Sequence, residues 1–385
     1  MRAWTTIGNL ATPAACAVIV AATTLTSAGP LSAAEAVPAK PRIEVCFVLD
    51  TTGSMSGLIE GAKQKIWSIA NELISATPRP ELKIGLVAYR DRGDAYVTQV
   101  TDLTADIDAV HGALRGFSAG GGGDGPESVN QALHESVEKI SWSGGEGVLK
   151  IVFLVGDAPP HMDYADDVPY SAVCHTAVKR GLVINTVQCG GQGDTTRVWK
   201  EIAALAEGRY IALPQEGGMV VIAAPQDAQI AEVNRALGRT LVAYGAAERR
   251  REVQAKQAAS EGAGASAAAD RLAYNAATGR AVQGEGELID AIARDEVRLE
   301  DVRQEDLPED LRGMTREQLA AHVAAKQEER AALQGKLKTL LAEREAHVEA
   351  ERRRLVAEGR GDAFDAEVAA AVREQATRLD SRRGE

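Results

Sequence analysis

Short apolar runs alternate with helical patterns through the first half of the chain, and this alternation constrains the fold more than any other feature. Runs rich in Val, Ile and Leu occur at residues 43–49, 82–89, 149–155, 182–187 and 208–213. Continuous runs of this length are typical of strands buried on both faces. Helical patterns lie between them, at residues 55–75, 107–114, 127–140, 170–179 and 195–206. The alternation predicts an α/β domain at residues 43–213, with a doubly wound, mainly parallel sheet, helices on both faces and an antiparallel edge strand at 95–101.

The second half of the chain has a different character, because apolar strands stop after about residue 225 and Ala, Glu, Arg and Gln dominate. We expect a helical extension with a linker at residues 214–270, followed by a helical tail at 271–385. Thr315 and Gln318 have the spacing of a capping box that opens a long helix. One face of this helix is apolar, but Lys326 and Arg330 interrupt it; its members are Leu319, Val323, Leu333, Leu337 and Leu340. This stripe predicts a helical hairpin or a coiled coil, through which the chain could form a homo-oligomer.

A last amphipathic helix is indicated by apolar residues at helical spacing near the end of the chain, namely Phe364, Val368, Val372 and Leu379.

The first 36 residues have the pattern of a targeting signal. Arg2 precedes a weakly apolar stretch at residues 10–25, and Ala34-Glu35-Ala36 offers the small residues that a signal peptidase reads. We therefore expect a signal peptide at residues 1–36 and an exported protein, in the periplasm, on the cell surface or secreted. No run in the mature chain is long and apolar enough to predict a membrane span.

Charge and composition argue against some classes of partner. The formal net charge is −12 and aromatic residues make up 4% of the chain. A negative surface repels phosphate backbones, and few aromatic rings are available for base stacking. The composition therefore disfavours nucleic acid as a partner and favours cations.

Oxygen-bearing side chains collect where predicted strands end. The first strand ends in Asp50-Thr51-Thr52-Gly53-Ser54, another ends in Gly156-Asp157, and a glycine-rich loop between them ends in Glu127. In parallel α/β sheets, ligands bind beyond the carboxyl ends of strands. Carboxylate and hydroxyl oxygens suit hard cations rather than zinc. The sequence therefore predicts a Mg²⁺ or Mn²⁺ site, with Ca²⁺ as the other candidate, near Asp50, Thr52, Ser54 and Asp157 and the two carboxylates of the glycine-rich loop, Asp124 and Glu127.

These motifs resemble those of the von Willebrand factor type A domain with its metal-ion-dependent adhesion site. The family's Asp-x-Ser/Thr-x-Ser motif corresponds to Asp50, Thr52 and Ser54, and its third-loop aspartate corresponds to Asp157. The second loop, Asp124-x-Pro126-Glu127, is similar to that of integrin β subunits and of A domains found with α-kinases. The resemblance covers residues 43–213 and implies cation-dependent binding of a protein partner.

The resemblance also bears on neighbouring metal sites. One adjacent site of the integrin pattern needs acidic residues where this chain has Gly57 and Leu58, so we do not expect it. A different neighbouring site in the family would correspond here to Asp91, Asp124 and Glu127, which are candidates for a second ion, Ca²⁺.

Three classes of function remain open at this level. The first is a binding module whose metal captures a carboxylate of a protein partner. The second is a scaffolding protein that assembles through its helical tail, with a metal that only stabilises the domain. The third is a metal-assisted hydrolase that uses Asp157 and His161. We favour the first and expect no enzyme activity, because no pair of nucleophile and base stands out in the sequence.

The cysteines allow one disulfide in an exported chain. Cys174 falls in a predicted helix and Cys189 lies just past the next strand, so both can lie at the same edge of the sheet. We predict a bridge between them, with three free, buried thiols as the alternative, and we expect Cys46 to be a buried thiol in either case.

Overall fold

The computed structural model describes residues 40–383 except 124, 146, 217, 361 and 362, and one six-stranded sheet lies at its centre. The strands are Arg42–Asp50 (β1), Glu81–Tyr89 (β2), Thr98–Thr104 (β3), Val148–Gly156 (β4), Leu182–Cys189 (β5) and Tyr210–Leu213 (β6). Their order is β3-β2-β1-β4-β5-β6. Only β3 is antiparallel to its neighbour. The predicted fold class is confirmed. The signal peptide predicted at residues 1–36 lies outside the described residues.

Helices from the first half of the chain cover both faces of the sheet. They are Ser56–Leu73 (α1), Ile107–Gly116 (α2), Val129–Glu138 (α3), Tyr170–Lys179 (α4) and Gly193–Leu205 (α5). Helices α1 and α2 share one apolar core with the sheet, and α3, α4 and α5 share the other. The central strands are buried on both sides, which explains their continuous apolar sequences.

The second half of the chain is helical. Its helices are Asp227–Gly238 (α6), Ala247–Glu261 (α7), Ala265–Thr278 (α8), Leu288–Ala293 (α9), Arg316–Ala357 (α10) and Ala363–Arg383 (α11). Residues 260–269, where the Ala/Gly/Ser-rich sequence indicates a linker or a loose helix, are the end of α7, a short turn and the start of α8. The boundary predicted at residue 270 therefore falls inside a helix. No helix in the described ranges is long and apolar enough to cross a membrane.

The last helix completes the main domain. Phe364, Val368 and Val372 of α11 belong to the same core as β1, β4 and α1. Lys65 of α1 forms an ion pair of 3.0 Å with Asp365, and Asn185 of β5 exchanges amide hydrogen bonds with Gln375. Helix α11 therefore covers the sheet beside α1, although it is distant in sequence.

The apolar stripe of the long helix α10, which predicts a helical hairpin or a coiled coil, packs against other helices of the same chain. Leu337 and Leu340 pack against α6 and α8, whereas Leu319 and Val323 pack against α9 and the loops beside it. Arg330, which interrupts the stripe in the sequence, is buried between these clusters and pairs with Glu287 and Asp290, at 2.8 Å each. The stripe is thus used within its own chain. The sequence pattern predicted an apolar helix face correctly but could not identify the surface that covers it.

The predicted disulfide is wrong. Cys46, Cys174 and Cys189 are all free and buried. Cys174 lies in the core formed with α3, α4 and α5, whereas Cys189 lies in the core on the opposite face of the sheet. Side chains alternate along a strand, so the position of Cys189 in β5 directs its thiol away from α4. Both residues reach the same edge of the sheet, but on opposite sides of it.

Candidate metal centre

The predicted site forms where β1 ends. Asp50 is the last residue of β1, and its Oδ1 accepts hydrogen bonds from the Thr52 amide (2.8 Å) and the Thr52 hydroxyl (2.6 Å). The oxygens of Thr52 and Ser54 are 3.3 Å apart. A single 3-10 turn, Gly53–Met55, then leads into α1. The local turn therefore brings the carboxylate and both hydroxyls together, as the motif predicts.

Glu127 and Asp157 reach this place from two other segments. The backbone of Glu127 pairs with the loop after β4: its amide donates to Pro159 (2.9 Å) and its carbonyl accepts from the His161 amide (3.0 Å). Asp157 directly follows β4. Together with Thr52 and Ser54, both residues line a cleft of about 250 Å³. The structure thus brings all the predicted ligands of the first site to one place.

A glycine loop forms the outer rim of the cleft. Gly122 has a φ of 76°, which favours glycine, and a Cβ there would lie 3.0 Å from Glu127 Oε1 and 3.2 Å from Thr52 Cβ. Gly122 and Ser54 are both exposed. Backbone therefore lies close to the ligands, while the cleft stays open to solvent.

Two carboxylate oxygens at the candidate site are buried without a hydrogen-bond donor among the described residues, namely Asp50 Oδ2 and Glu127 Oε2. Asp50 is 0% exposed and Glu127 is 4% exposed. Burial, with some repulsion from Asp157, raises the pKa of Asp50 to about 7. Burial, with repulsion from Asp50 and other aspartates, raises the pKa of Glu127 to about 9. Buried charges are normally paired or bound to a metal, so this donor set fits a hard cation.

Among the described residues, no three His, Cys, Asp or Glu side chains are grouped as metal ligands would be. The metal site at Asp50, Thr52, Ser54, Glu127 and Asp157 stays a prediction.

Asp91, a predicted ligand of a second ion, is hydrogen-bonded to neighbouring side chains. Asp91 accepts hydrogen bonds from the Ser128 hydroxyl (2.9 Å) and the Tyr164 hydroxyl (2.9 Å), and His161 Nε2 lies 3.4 Å from it. Its carboxylate is thus held in a hydrogen-bonded network beside the cleft. Asp124 lies outside the described residues. The second metal site stays a prediction.

His161 belongs to the same network. Its Nδ1 is 2.8 Å from Asp163, and its ring stacks on Tyr164 with the ring centres 4.2 Å apart. Both ring nitrogens of His161 thus face carboxylates.

Three residues at the site were missed by the sequence analysis. Asp94 accepts a hydrogen bond from the Gly122 amide (3.0 Å) and so anchors the glycine loop. Gln215, which follows β6, donates to Asp157 Oδ2 (2.6 Å). Tyr89 ends β2 directly beside Asp50 in the parallel register. Of these three residues, only Tyr89 could have been found from the sequence, because it ends a strand at the same edge of the sheet as Asp50 and Asp157.

The fold and the site define a class of protein, and the comparison with family models agrees. Residues 44–224 match the model of the von Willebrand factor A domain. The chain therefore contains a von Willebrand factor A domain, followed by further helices that pack against it. Domains of this class commonly mediate interactions between proteins.

One curated protein and two solved structures are similar to somewhat less than half of the chain. The ariadne-like RING finger protein R811 of Acanthamoeba polyphaga mimivirus is 22% identical over 195 residues, which is 46% of this chain and 19% of that protein. The chain thus spans about a fifth of this relative's length. The conserved hypothetical protein BatB of Bacteroides thetaiotaomicron is similar in structure, with 19% identity, 45% of this chain and 90% of that chain covered, and a TM-score of 0.35. The SpRpn10 VWA domain is also similar in structure, with 14% identity, 46% of this chain and 89% of that chain covered, and a TM-score of 0.35.

Proposed function

We propose that this protein is an exported protein-binding module that depends on a divalent cation, Mg²⁺ or Mn²⁺, held by Asp50, Thr52, Ser54, Glu127 and Asp157. The observation that carries the proposal is the pair of buried carboxylate oxygens on Asp50 and Glu127, which have no donor in the described part of the chain. A cation would satisfy both oxygens at once. It would supply positive charge at the rim of the cleft, where a carboxylate of a partner protein can bind.

The surroundings of the cleft suit a protein partner. Met162 is 61% exposed and follows His161, whose amide is bonded to the Glu127 carbonyl. The Asn130 side chain holds this loop through the His161 carbonyl (2.7 Å) and the Tyr170 amide (2.9 Å). An apolar side chain on a well-anchored loop beside a charged group is a favourable arrangement for protein recognition, because little entropy is lost on binding.

The contacts of the His161 ring favour binding over catalysis as the function of the site. A general base needs a ring nitrogen within reach of the proton that it removes. Here Nδ1 and Nε2 both face carboxylates, of Asp163 and Asp91. We therefore infer that the chain is not a hydrolase and that His161 stabilises the loop beside the cleft.

The metal site is tested with residues 40–385 by calorimetric titration with Mn²⁺. We expect one strong site, which Asp50→Ala with Asp157→Ala abolishes while the circular dichroism spectrum is retained. Asp310→Ala removes an exposed carboxylate of the helical region and should leave the affinity unchanged. Wild-type affinity in the double variant would contradict the assignment of the site.

The binding function is tested by capture of acidic peptides on the immobilised protein. We expect capture in Mg²⁺, loss of capture in chelator and loss in Ser54→Ala. Equal capture with and without the cation would exclude a cation-dependent module. Mn²⁺-dependent turnover of phosphate or ester substrates that is lost in His161→Ala would support the hydrolase instead.

A further inference from the structure

Beneath the cleft lies a phenol that the ligand set does not include. Tyr89 is 0% exposed, and its hydroxyl has no hydrogen-bond partner among the described residues. A buried hydroxyl without a partner is unfavourable, so such a group needs a reason to be retained. Its backbone carbonyl is fully used, because it accepts from the amide (2.9 Å) and the hydroxyl (2.8 Å) of Thr51. The side-chain hydroxyl alone is left without a partner.

Gly156 shows how close this hydroxyl lies to the site. A Cβ at Gly156 would collide with the Tyr89 hydroxyl and would lie 3.1 Å from Asp50 Oδ2. Both atoms therefore border the same small space, which exists because residue 156 has no side chain. Asp50 Oδ2 is itself one of the buried oxygens without a donor. The Tyr89 hydroxyl and Asp50 Oδ2, both without a hydrogen-bond partner among the described residues, thus lie on two sides of one gap.

The phenol is the donor of this pair. A tyrosine hydroxyl carries a proton and can donate one hydrogen bond, whereas a carboxylate oxygen accepts one. The Tyr89 hydroxyl and Asp50 Oδ2 are therefore complementary groups.

We infer that Tyr89 is a positioning residue of the metal centre, whose hydroxyl donates a hydrogen bond to the Asp50 carboxylate when the cation is held. The inference rests on the proposed metal site and adds a residue that lies behind the ligands. Outer residues that hold a metal ligand commonly contribute 10-fold to 100-fold to affinity. Tyr89 also explains why β4 ends in glycine, since any larger residue at 156 would fill the gap between the donor and the acceptor.

The inference makes a prediction with two parts for Tyr89→Phe, which removes only the hydroxyl. Without the cation, the variant should melt at the same temperature as the wild type or higher, because an unsatisfied buried group has been removed. The Mn²⁺ affinity should nevertheless fall about 10-fold. If Tyr89 served packing alone, its substitution would not lower the Mn²⁺ affinity while leaving the metal-free melting temperature unchanged or higher.

The experiment titrates Mn²⁺ into the wild type, Tyr89→Phe and Tyr274→Phe, and records melting with and without Mn²⁺. Tyr274 is also buried but lies on α8, against Trp67 of α1. Tyr274→Phe should bind Mn²⁺ as the wild type does. Equal affinity in Tyr89→Phe, or weaker affinity together with a lower metal-free melting temperature, would overturn the role of Tyr89 and leave the metal site standing. Absence of Mn²⁺ binding in the wild type would overturn both proposals.

Discussion

Several titratable side chains in this protein are buried, and burial shifts their pKa values. Besides the carboxylates of the metal centre, His111 on α2 is a buried titratable residue. Its ring meets Trp67 of α1 edge-on, with ring centres 6.1 Å apart. Burial lowers the pKa of His111 below its usual value of 6.5, and Arg115 and Arg271 add to this effect while Asp108 opposes it. The folded protein therefore keeps this imidazole neutral.

His111 should make the protein less stable in mild acid. The unfolded chain binds a proton at His111 near pH 6.5, whereas the folded chain binds it only at lower pH. This contribution to stability is therefore full above about pH 6.5 and decreases as the pH falls through that value. We expect His111→Gln to reduce the slope of unfolding free energy against pH between 7 and 5, measured by urea denaturation. His347→Gln is the control, since this histidine is exposed to solvent on α10. Equal slopes for the wild type and His111→Gln would contradict the prediction.

Between elements, buried ion pairs join the helical region to the main domain. Arg271 of α8 donates to both oxygens of Asp108 on α2, at 2.6 and 2.8 Å. Within the helical region, Arg344 of α10 pairs with Asp227 of α6 (2.8 Å) and Asp270 of α8 (2.7 Å). Such pairs add specificity to an interface, because a misplaced helix would leave a buried charge alone. They explain why so polar a sequence packs tightly.

The Asp108–Arg271 pair allows this idea to be tested. Asp108→Ala leaves a buried guanidinium without its carboxylate and should lower the free energy of unfolding by about 3–5 kcal/mol. Asp108→Ala combined with Arg271→Met removes the charge as well and should recover part of that loss. The measurement is chemical denaturation followed by circular dichroism. Additive losses in the double variant would show that the pair is not coupled.

At the scale of the whole molecule, the last helix of the chain completes the core of the first domain. Residues 40–385 cluster as one compact unit, and α11 covers the sheet after the chain has passed through five other helices. The chain thus returns to the sheet at its end. The stability of the von Willebrand factor A domain should therefore depend on residues outside the part of the chain that matches the family model, 44–224.

Phe364 tests this dependence. It is 3% exposed in the core that contains β1 and α1, so Phe364→Ala should cost about 3–5 kcal/mol. Val356, at the end of α10, is exposed, and Val356→Ala should change stability by no more than about 0.5 kcal/mol. Tryptophan fluorescence reports the cores on both faces of the sheet, which contain Trp67 and Trp199, and circular dichroism reports the whole chain. We expect Phe364→Ala to shift both transitions together; a shift in circular dichroism alone would mean that α11 is not part of the domain's core.

The sequence by itself predicted the sheet and the helices of the first half of the chain, because these depend on local patterns. A continuous apolar run indicates a buried strand wherever it occurs, and Asp50, Thr52 and Ser54 are brought together by a single turn. Asp157 could be added because parallel strands end at the same edge of a sheet. Glu127 could be added because the glycine-rich loop resembles the second loop of the family's metal site.

The tertiary structure alone decided which surfaces meet. The stripe on α10 has the same pattern whether it covers another chain or its own, and only the fold shows that α6, α8 and α9 cover it. Cys174 and Cys189 are close in topology, but strand alternation places them on opposite faces. Gln215 reaches Asp157 because of the path that the chain takes after β6. These contacts depend on the shapes and charges of distant segments, for which a local sequence pattern carries no information.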